Sequence, residues 1–210
     1  MLKFTLHGHA CLSIVADDAN VLVDPGAFSK LDDVGRPDAM LITHQHADHA
    51  EPGYLAQTSS PIYAPRDAID VLRDQGIPEE RLNVVEDGAV LTFGSLRITA
   101  AVGDHAVIYP GIPTPLNASY LVDGRLLVPG DAFPHIGDPD SVEHVLIPIA
   151  GPWLKLADAI DFAQRYPSAK AHPIHDALLS APGIGLADRI LDGVLGERFS
   201  RARPEVPIEM

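Results

Sequence analysis

Thr43-His44-Gln45-His46-Ala47-Asp48-His49-Ala50-Glu51-Pro52-Gly53 packs three histidines and an aspartate into six positions, directly after the apolar run Ala39-Met40-Leu41-Ile42. Imidazoles at i and i+2 of a turn leaving a strand, as His44 and His46, can converge on one cation. Asp48 and His49 then lie on the next face of the turn, where they could serve a second. Neutral imidazole and carboxylate suit zinc first, with manganese or iron as the other candidates. One turn cannot complete two coordination spheres, so further ligands are expected at other strand ends. Three stand out: His105 in AAVGDHAV, Asp131 in LLVPGDAF and His175 in KAHPIHD.

The strands that would carry these residues are short β-type runs punctuated by Gly, Pro or Asp-Asp. They are expected at Lys3 to Leu6, Leu12 to Ala16, Val21 to Asp24, Ala39 to Ile42, Pro61 to Ala64, Leu82 to Val85, Val90 to Phe93 and Leu96 to Ala101, an antiparallel, β-rich first half. One helix interrupts them at Pro65 to Gln75, where Ala68, Ile69 and Leu72 share a face. In the second half, Asp123-Gly124 is a two-residue hairpin signal between Ala118 to Val122 and Arg125 to Val128. A buried-type strand at Val145 to Pro148, a helix near Leu154 to Tyr166, a strand at Ala169 to Ile174 and a helix at Leu186 to Leu195 close the chain. Helices between two sets of strands predict a layered sandwich with helices outside and sheets inside.

Length and composition set the frame. At 210 residues the chain fits one domain, residues 1–210, with neither linker nor low-complexity segment. The single Cys11 can form no internal disulfide, and the N-terminus reads as that of a soluble protein without a signal peptide, so the cytoplasm is the default and no membrane partner is expected. Twenty-nine acidic against 15 basic residues give a formal charge of −14, a field that repels nucleic acid and leaves a small molecule as the expected substrate. Homo-oligomerisation is left open.

The His-x-His-x-Asp-His run, preceded by Val21-Leu22-Val23-Asp24-Pro25 and followed by His105, Asp131 and His175, resembles the metallo-β-lactamase superfamily from about Lys3 to about Ile190. Leu6-His7-Gly8-His9-Ala10, Pro129-Gly130-Asp131 and Leu146 to Gly151 resemble its small single-domain metal-dependent hydrolases, the group similar to ascorbate-6-phosphate lactonase. The resemblance implies an αββα sandwich, the metallo-hydrolase/oxidoreductase fold, with two mainly antiparallel sheets. It implies one metal on His44, His46 and His105, a second on Asp48, His49 and His175, and Asp131 as the bridge. Asp24 would support the first histidines by hydrogen bonds. Two divalent ions about 3.5 to 4 Å apart lower the pKa of a shared water, so hydroxide forms near neutral pH without a side-chain nucleophile. Asp48 would orient it, and the metals would stabilise the oxyanion.

Several positions have competing readings. Asp104 competes with His105, and His172 with His175, leaving His172 as a surface or sheet histidine. Asp131 could be a simple turn aspartate after Gly130. His9 is a candidate for substrate contact or proton donation, or a structural histidine like His7, and His135 a candidate leaving-group acid. Phe28, Phe133 and Trp153 lie near one rim by position, each with a core reading beside it. The proline-stiffened loop Tyr109 to Asn117 could shape a pocket or simply cross the surface.

The activity expected is hydrolysis of a small ester, lactone or phosphodiester by dinuclear-metal-bound hydroxide. Thioester hydrolysis of the glyoxalase II type is the enzymatic alternative, although its C-terminal helical domain has no counterpart in the 35 residues after His175. A non-catalytic metal- or ligand-binding regulator on the same fold is the alternative from another class.

Overall fold

The computed structural model describes residues 2–32 and 34–210. In chain order the strands are β1 (Lys3–Leu6), β2 (Leu12–Ala16), β3 (Ala19–Val23), β4 (Ala39–Leu41), β5 (Ile62–Ala64), β6 (Leu82–Val84), β7 (Val90–Phe93), β8 (Leu96–Asp104), β9 (Leu116–Val122), β10 (Leu126–Val128), β11 (His144–Pro148), β12 (Lys170–Ile174) and β13 (Ile208–Glu209). The helices are α1 (Pro52–Gln57), α2 (Arg66–Asp74), α3 (Leu156–Gln164) and α4 (Ala181–Leu195). One sheet runs β13-β1-β2-β3-β4-β5-β6 and the other β12-β11-β10-β9-β8-β7.

Period-two alternation within the strands builds the four layers. Val21 and Val23 of β3 face the core between the sheets together with Tyr120, Val122, Leu126, Val128 and Leu146. Leu22, between those valines, faces outward with Met40 and Ile62 onto Ala68, Ile69 and Leu72 of α2. On the other sheet Leu121, Leu127, Val145 and Ile147 point outward and meet Phe162 and Ala163 of α3 and Ala187 and Leu191 of α4. Each buried apolar strand residue thus has one of two destinations, which gives an αββα sandwich.

Both sheets are mixed. The expected antiparallel pairing of the first half holds for β1, β2 and β3 and for β7 with β8, but β3 to β6 run parallel. β4 and β5 are joined through α1, and β5 and β6 through α2. A connection that contains a helix returns the chain to the same end of the sheet. The Asp123-Gly124 turn is as the sequence predicts: both residues have positive φ, 49° and 70°, and Leu121 pairs with Leu127 across it.

Two elements have no counterpart in the sequence reading. α1 is only six residues long and contains Pro-Gly, yet the Glu51 carboxylate caps it by accepting from the backbone N–H of Gly53 and Tyr54. β13 owes its existence to pairing with β1. α4 begins at Ala181 rather than Leu186, because the Ser180 hydroxyl accepts from Gly183 N–H and Pro182 fits the first turn. Among the described residues no helix is long and apolar enough to cross a membrane.

Candidate metal centre

Five strand ends deliver the ligand-type side chains to one edge of the sandwich. Parallel β3 and β4 end in register, Val23 opposite Leu41, so Asp24 and the Thr43-to-His49 turn leave side by side. Backbone hydrogen bonds join the emerging loops: Ala118 N to Thr43 O at 2.8 Å, Ala106 N to Asp131 O at 2.9 Å, and His175 N to His9 O at 2.9 Å. Gly26 packs against the histidine turn so closely that a Cβ would fall 1.6 Å from the Asp48 carbonyl oxygen. Gly130, at φ +65°, leaves space that a Cβ would lose to the Asn117 side chain and Thr43.

Three overlapping groups form. His44, His46 and His105 make one; Asp48, His49, His175 and His9 another; Asp131 joins His44 and His49 in the third. Within each group one ligand atom per residue lies within 4.8 Å of the others. Asp131 Oδ2 stands 3.1 Å from His175 Nε2, 3.4 Å from His105 Nε2 and 4.0 Å from His44 Nε2, and Oδ1 stands 3.3 Å from His49 Nε2. Asp131 therefore lies between the groups.

The hydrogen bonds determine which ring nitrogen faces the centre. Asp24 cannot donate, so His49 Nδ1–H donates to its Oδ2 at 2.8 Å; His105 Nδ1–H donates to the Ala106 carbonyl and His175 Nδ1–H to the Ala150 carbonyl, both at 2.6 Å. Thr43 Oγ1–H donates to Asp24 Oδ2 at 2.7 Å and in turn accepts from His44 Nδ1–H at 3.1 Å. All four Nε2 atoms, with Asp131 Oδ1, are buried and have no hydrogen-bond partner. Buried polar atoms are rarely left so. Four converging imidazole lone pairs beside a carboxylate are the donor set a divalent cation takes, with the outer nitrogens anchored as metal-binding histidines require.

The electrostatics agree. Burial alone would raise the Asp131 carboxyl, but His49 and the adjacent His105 and His175 imidazoles hold it well below the usual carboxylate range. Burial likewise opposes ionisation of Asp48, and His175 and His9 hold its carboxyl far down. Burial pushes His44 well down. It pulls on His49 and His175 too, yet Asp131 and Asp24 carry His49 well above the ordinary value, and Asp131 and Asp48 raise His175 to about 9.

The remaining sequence candidates separate. His9, at φ 50°, accepts Ala177 N–H on Nδ1 at 3.4 Å, which leaves Nε2–H to donate to Asp48 Oδ2 at 3.1 Å. His7 is bound away from the centre by Ser13 and Glu205. His135 is exposed and stands outside the three groups. His172 is a buried sheet histidine: its Nδ1–H donates to Ser200 O at 2.8 Å and its Nε2 accepts from His144 Nδ1–H at 2.9 Å. Asp24 differs from expectation, since its direct imidazole partner is His49; it reaches His44 only through the Thr43 hydroxyl, because its other oxygen accepts Thr43 N–H. Phe28 is 48% exposed and edge-on to His9 at 5.3 Å. Tyr109 is exposed in its loop beyond His105.

Two contributors escaped the sequence reading. Thr43 lies inside the quoted motif, but only the fold shows its hydroxyl joining Asp24 to His44. Trp153, read as a rim aromatic, donates Nε1–H to Asp131 Oδ2 at 2.9 Å.

Known proteins resemble this chain in sequence and in fold. The family model described as a beta-lactamase superfamily domain matches residues 3–175. The protein Rv0786c of Mycobacterium tuberculosis is 34% identical over 88% of this chain and 89% of its own length. The UPF0173 metal-dependent hydrolase TV0864 of Thermoplasma volcanium is 28% identical over 100% and 99%. Among solved structures, the metallo hydrolase Igni18 of Ignicoccus hospitalis superposes with a TM-score of 0.73 at 18% identity, covering 100% of this chain and 99% of its own. The metallo-beta-lactamase fold protein YhfI of Bacillus subtilis gives 0.73 at 17% identity with the same coverage. The chain belongs to the metallo-β-lactamase superfamily and stands among its metal-dependent hydrolases.

Proposed function

We propose that the chain hydrolyses a small ester, lactone or phosphodiester at a dinuclear centre, with zinc the first choice and manganese or iron the others. His44, His46 and His105 would hold one ion, Asp48, His49 and His175 the second, and Asp131 both. The observation that carries this reading is the convergence of four unpartnered, buried Nε2 atoms on one aspartate. Two such ions would supply a water ionised near neutral pH and positive charge for the oxyanion of the attacked group.

The chain's own residues do the positioning. Asp48 keeps its carboxylate ionised beside His175, where it can orient the attacking water. His9 Nε2–H holds that carboxylate in place, and its position inside the second group favours it over exposed His135 for a proton-handling role. Phe28 beside His9, and the half-buried Trp153 beside His105 and His175, offer apolar contact for a small substrate. The chain acts as one domain in the cytoplasm; neither nucleic acid nor membrane is a partner in this reading.

Purified protein reconstituted with zinc or manganese is assayed on chromogenic esters, lactones, thioesters and phosphodiesters, with metal content measured in parallel. Turnover that follows a stoichiometry of two ions supports the proposal. Turnover on thioesters alone favours the glyoxalase II-type alternative. A fully loaded protein inert on every class sinks the hydrolase reading in favour of a binding role.

A further inference from the structure

Trp153 lies in the turn between β11 and α3 and is the chain's single tryptophan. Its indole sits edge-on to His105 at 5.8 Å and to His175 at 6.3 Å, one imidazole from each proposed ion's set. The indole N–H acts on one oxygen only, Asp131 Oδ2. That same oxygen is 3.1 Å from His175 Nε2 and 3.4 Å from His105 Nε2, whereas Oδ1 lies 3.3 Å from His49 Nε2.

An aspartate between two cations can give one oxygen to each or share one oxygen between both. Rotation about Cβ–Cγ selects between these arrangements. An indole N–H is a neutral donor that ionises at no biological pH, so its bond fixes the rotation under all conditions. The fold makes room for this bond at Gly151, where a Cβ would lie 2.9 Å from Trp153 Nε1 and 3.2 Å from Cε2.

We infer that Trp153 is a positioning residue for the bridge: its N–H holds Asp131 Oδ2 between the two ligand groups and so sets the affinity for the second ion. The inference rests on the two-ion reading.

Because the chain has one tryptophan, biosynthetic replacement by 3-benzothienylalanine changes a single group, putting sulfur where the N–H stood in a ring of the same shape. This protein, Trp153→Phe and Gly151→Ala are titrated with zinc against a chromophoric chelator, and metal-free melting is recorded alongside. The expected result is a second-ion affinity 10- to 100-fold weaker in all three, with the first-ion affinity much less changed and the benzothienyl protein melting as the wild type does. Wild-type affinities in the benzothienyl protein overturn the role of the N–H while the two-ion reading stands. Equal weakening of both ions together with a lowered metal-free melting temperature makes Trp153 a packing residue and also overturns it. Wild-type protein that takes up fewer than two ions overturns the two-ion reading itself, and this inference with it.

Discussion

The Asp24 carboxylate stands 2.8 Å from His49 Nδ1, and by occupying that nitrogen it turns Nε2 toward Asp131. Asp24 is fully buried, at φ 47°, and spends its other oxygen on Thr43 N–H at 2.7 Å. An Asp24→Asn variant retains the shape and the tolerance for left-handed backbone but loses the charge that orients the ring. It is expected to bind zinc 10- to 100-fold more weakly, read by chelator competition. Unchanged affinity would show that backbone packing alone orients His49.

Zinc affinity falls as pH falls. In the metal-free protein His49 is held well above its ordinary value and His175 is raised to about 9, so at neutral pH both rings carry a proton that an incoming ion must displace. Between pH 9 and 7 the apparent affinity drops about tenfold per pH unit for each proton displaced. Calorimetric titration in buffers of different ionisation enthalpy measures the protons released. A pH-independent affinity with no release would contradict this protonation pattern.

His175 and His172, three residues apart on and beyond β12, are expected to respond in opposite ways to removal. His175→Ala loses bound metal, because an Nε2 without a partner disappears from the second group. His172→Ala retains it and loses stability instead, since both ring nitrogens serve hydrogen bonds inside the fold. Metal analysis of the two purified variants checks the pair; metal loss in the His172 variant alone would reverse the assignment.

The His144–His172 pair makes the fold acid-sensitive apart from the metal centre. Burial pushes His172 down to about 4, with His144 beside it adding to the effect. Facing it are the His144 ring, the Phe4 edge and the Ser200 carbonyl, with the Lys170 charge also felt from the same strand. A free imidazole titrates near 6.5, so the unfolded chain takes up the proton first. The stabilisation is complete above that pH and is lost as pH falls toward 4, on the order of 3 kcal/mol in all. Urea unfolding of metal-free protein across this range should show a steeper pH dependence in the wild type than in His172→Asn. Parallel curves would assign the acid sensitivity elsewhere.

Much of the architecture is legible because β-strands alternate with period two and two sheets give each apolar face one destination. Val21, Leu22 and Val23 read as a strand, and the same letters decide which residue meets the inner core and which meets α2. The clustering of His44, His46, Asp48 and His49 in one turn likewise makes a metal centre readable, since ligands close in sequence need no fold to bring them together. The parallel pairing of β3 to β6 was not readable, because strand direction depends on where a connection returns. α1 was hidden in Pro-Gly until the Glu51 cap is seen, and β13 has no periodicity without β1.

By itself, then, the sequence determined the strand inventory, the layered architecture and the side-chain types that a cation takes, all of which follow from local pattern. Tertiary structure alone decided that Asp131 lies between the two groups, that Asp24 bonds His49 directly and His44 only through Thr43, and that Trp153 donates to Asp131. Those relations join residues 22 to 87 positions apart in sequence on different strand ends. They depend on hydrogen-bond direction at distances near 3 Å, which spacing along a chain does not encode.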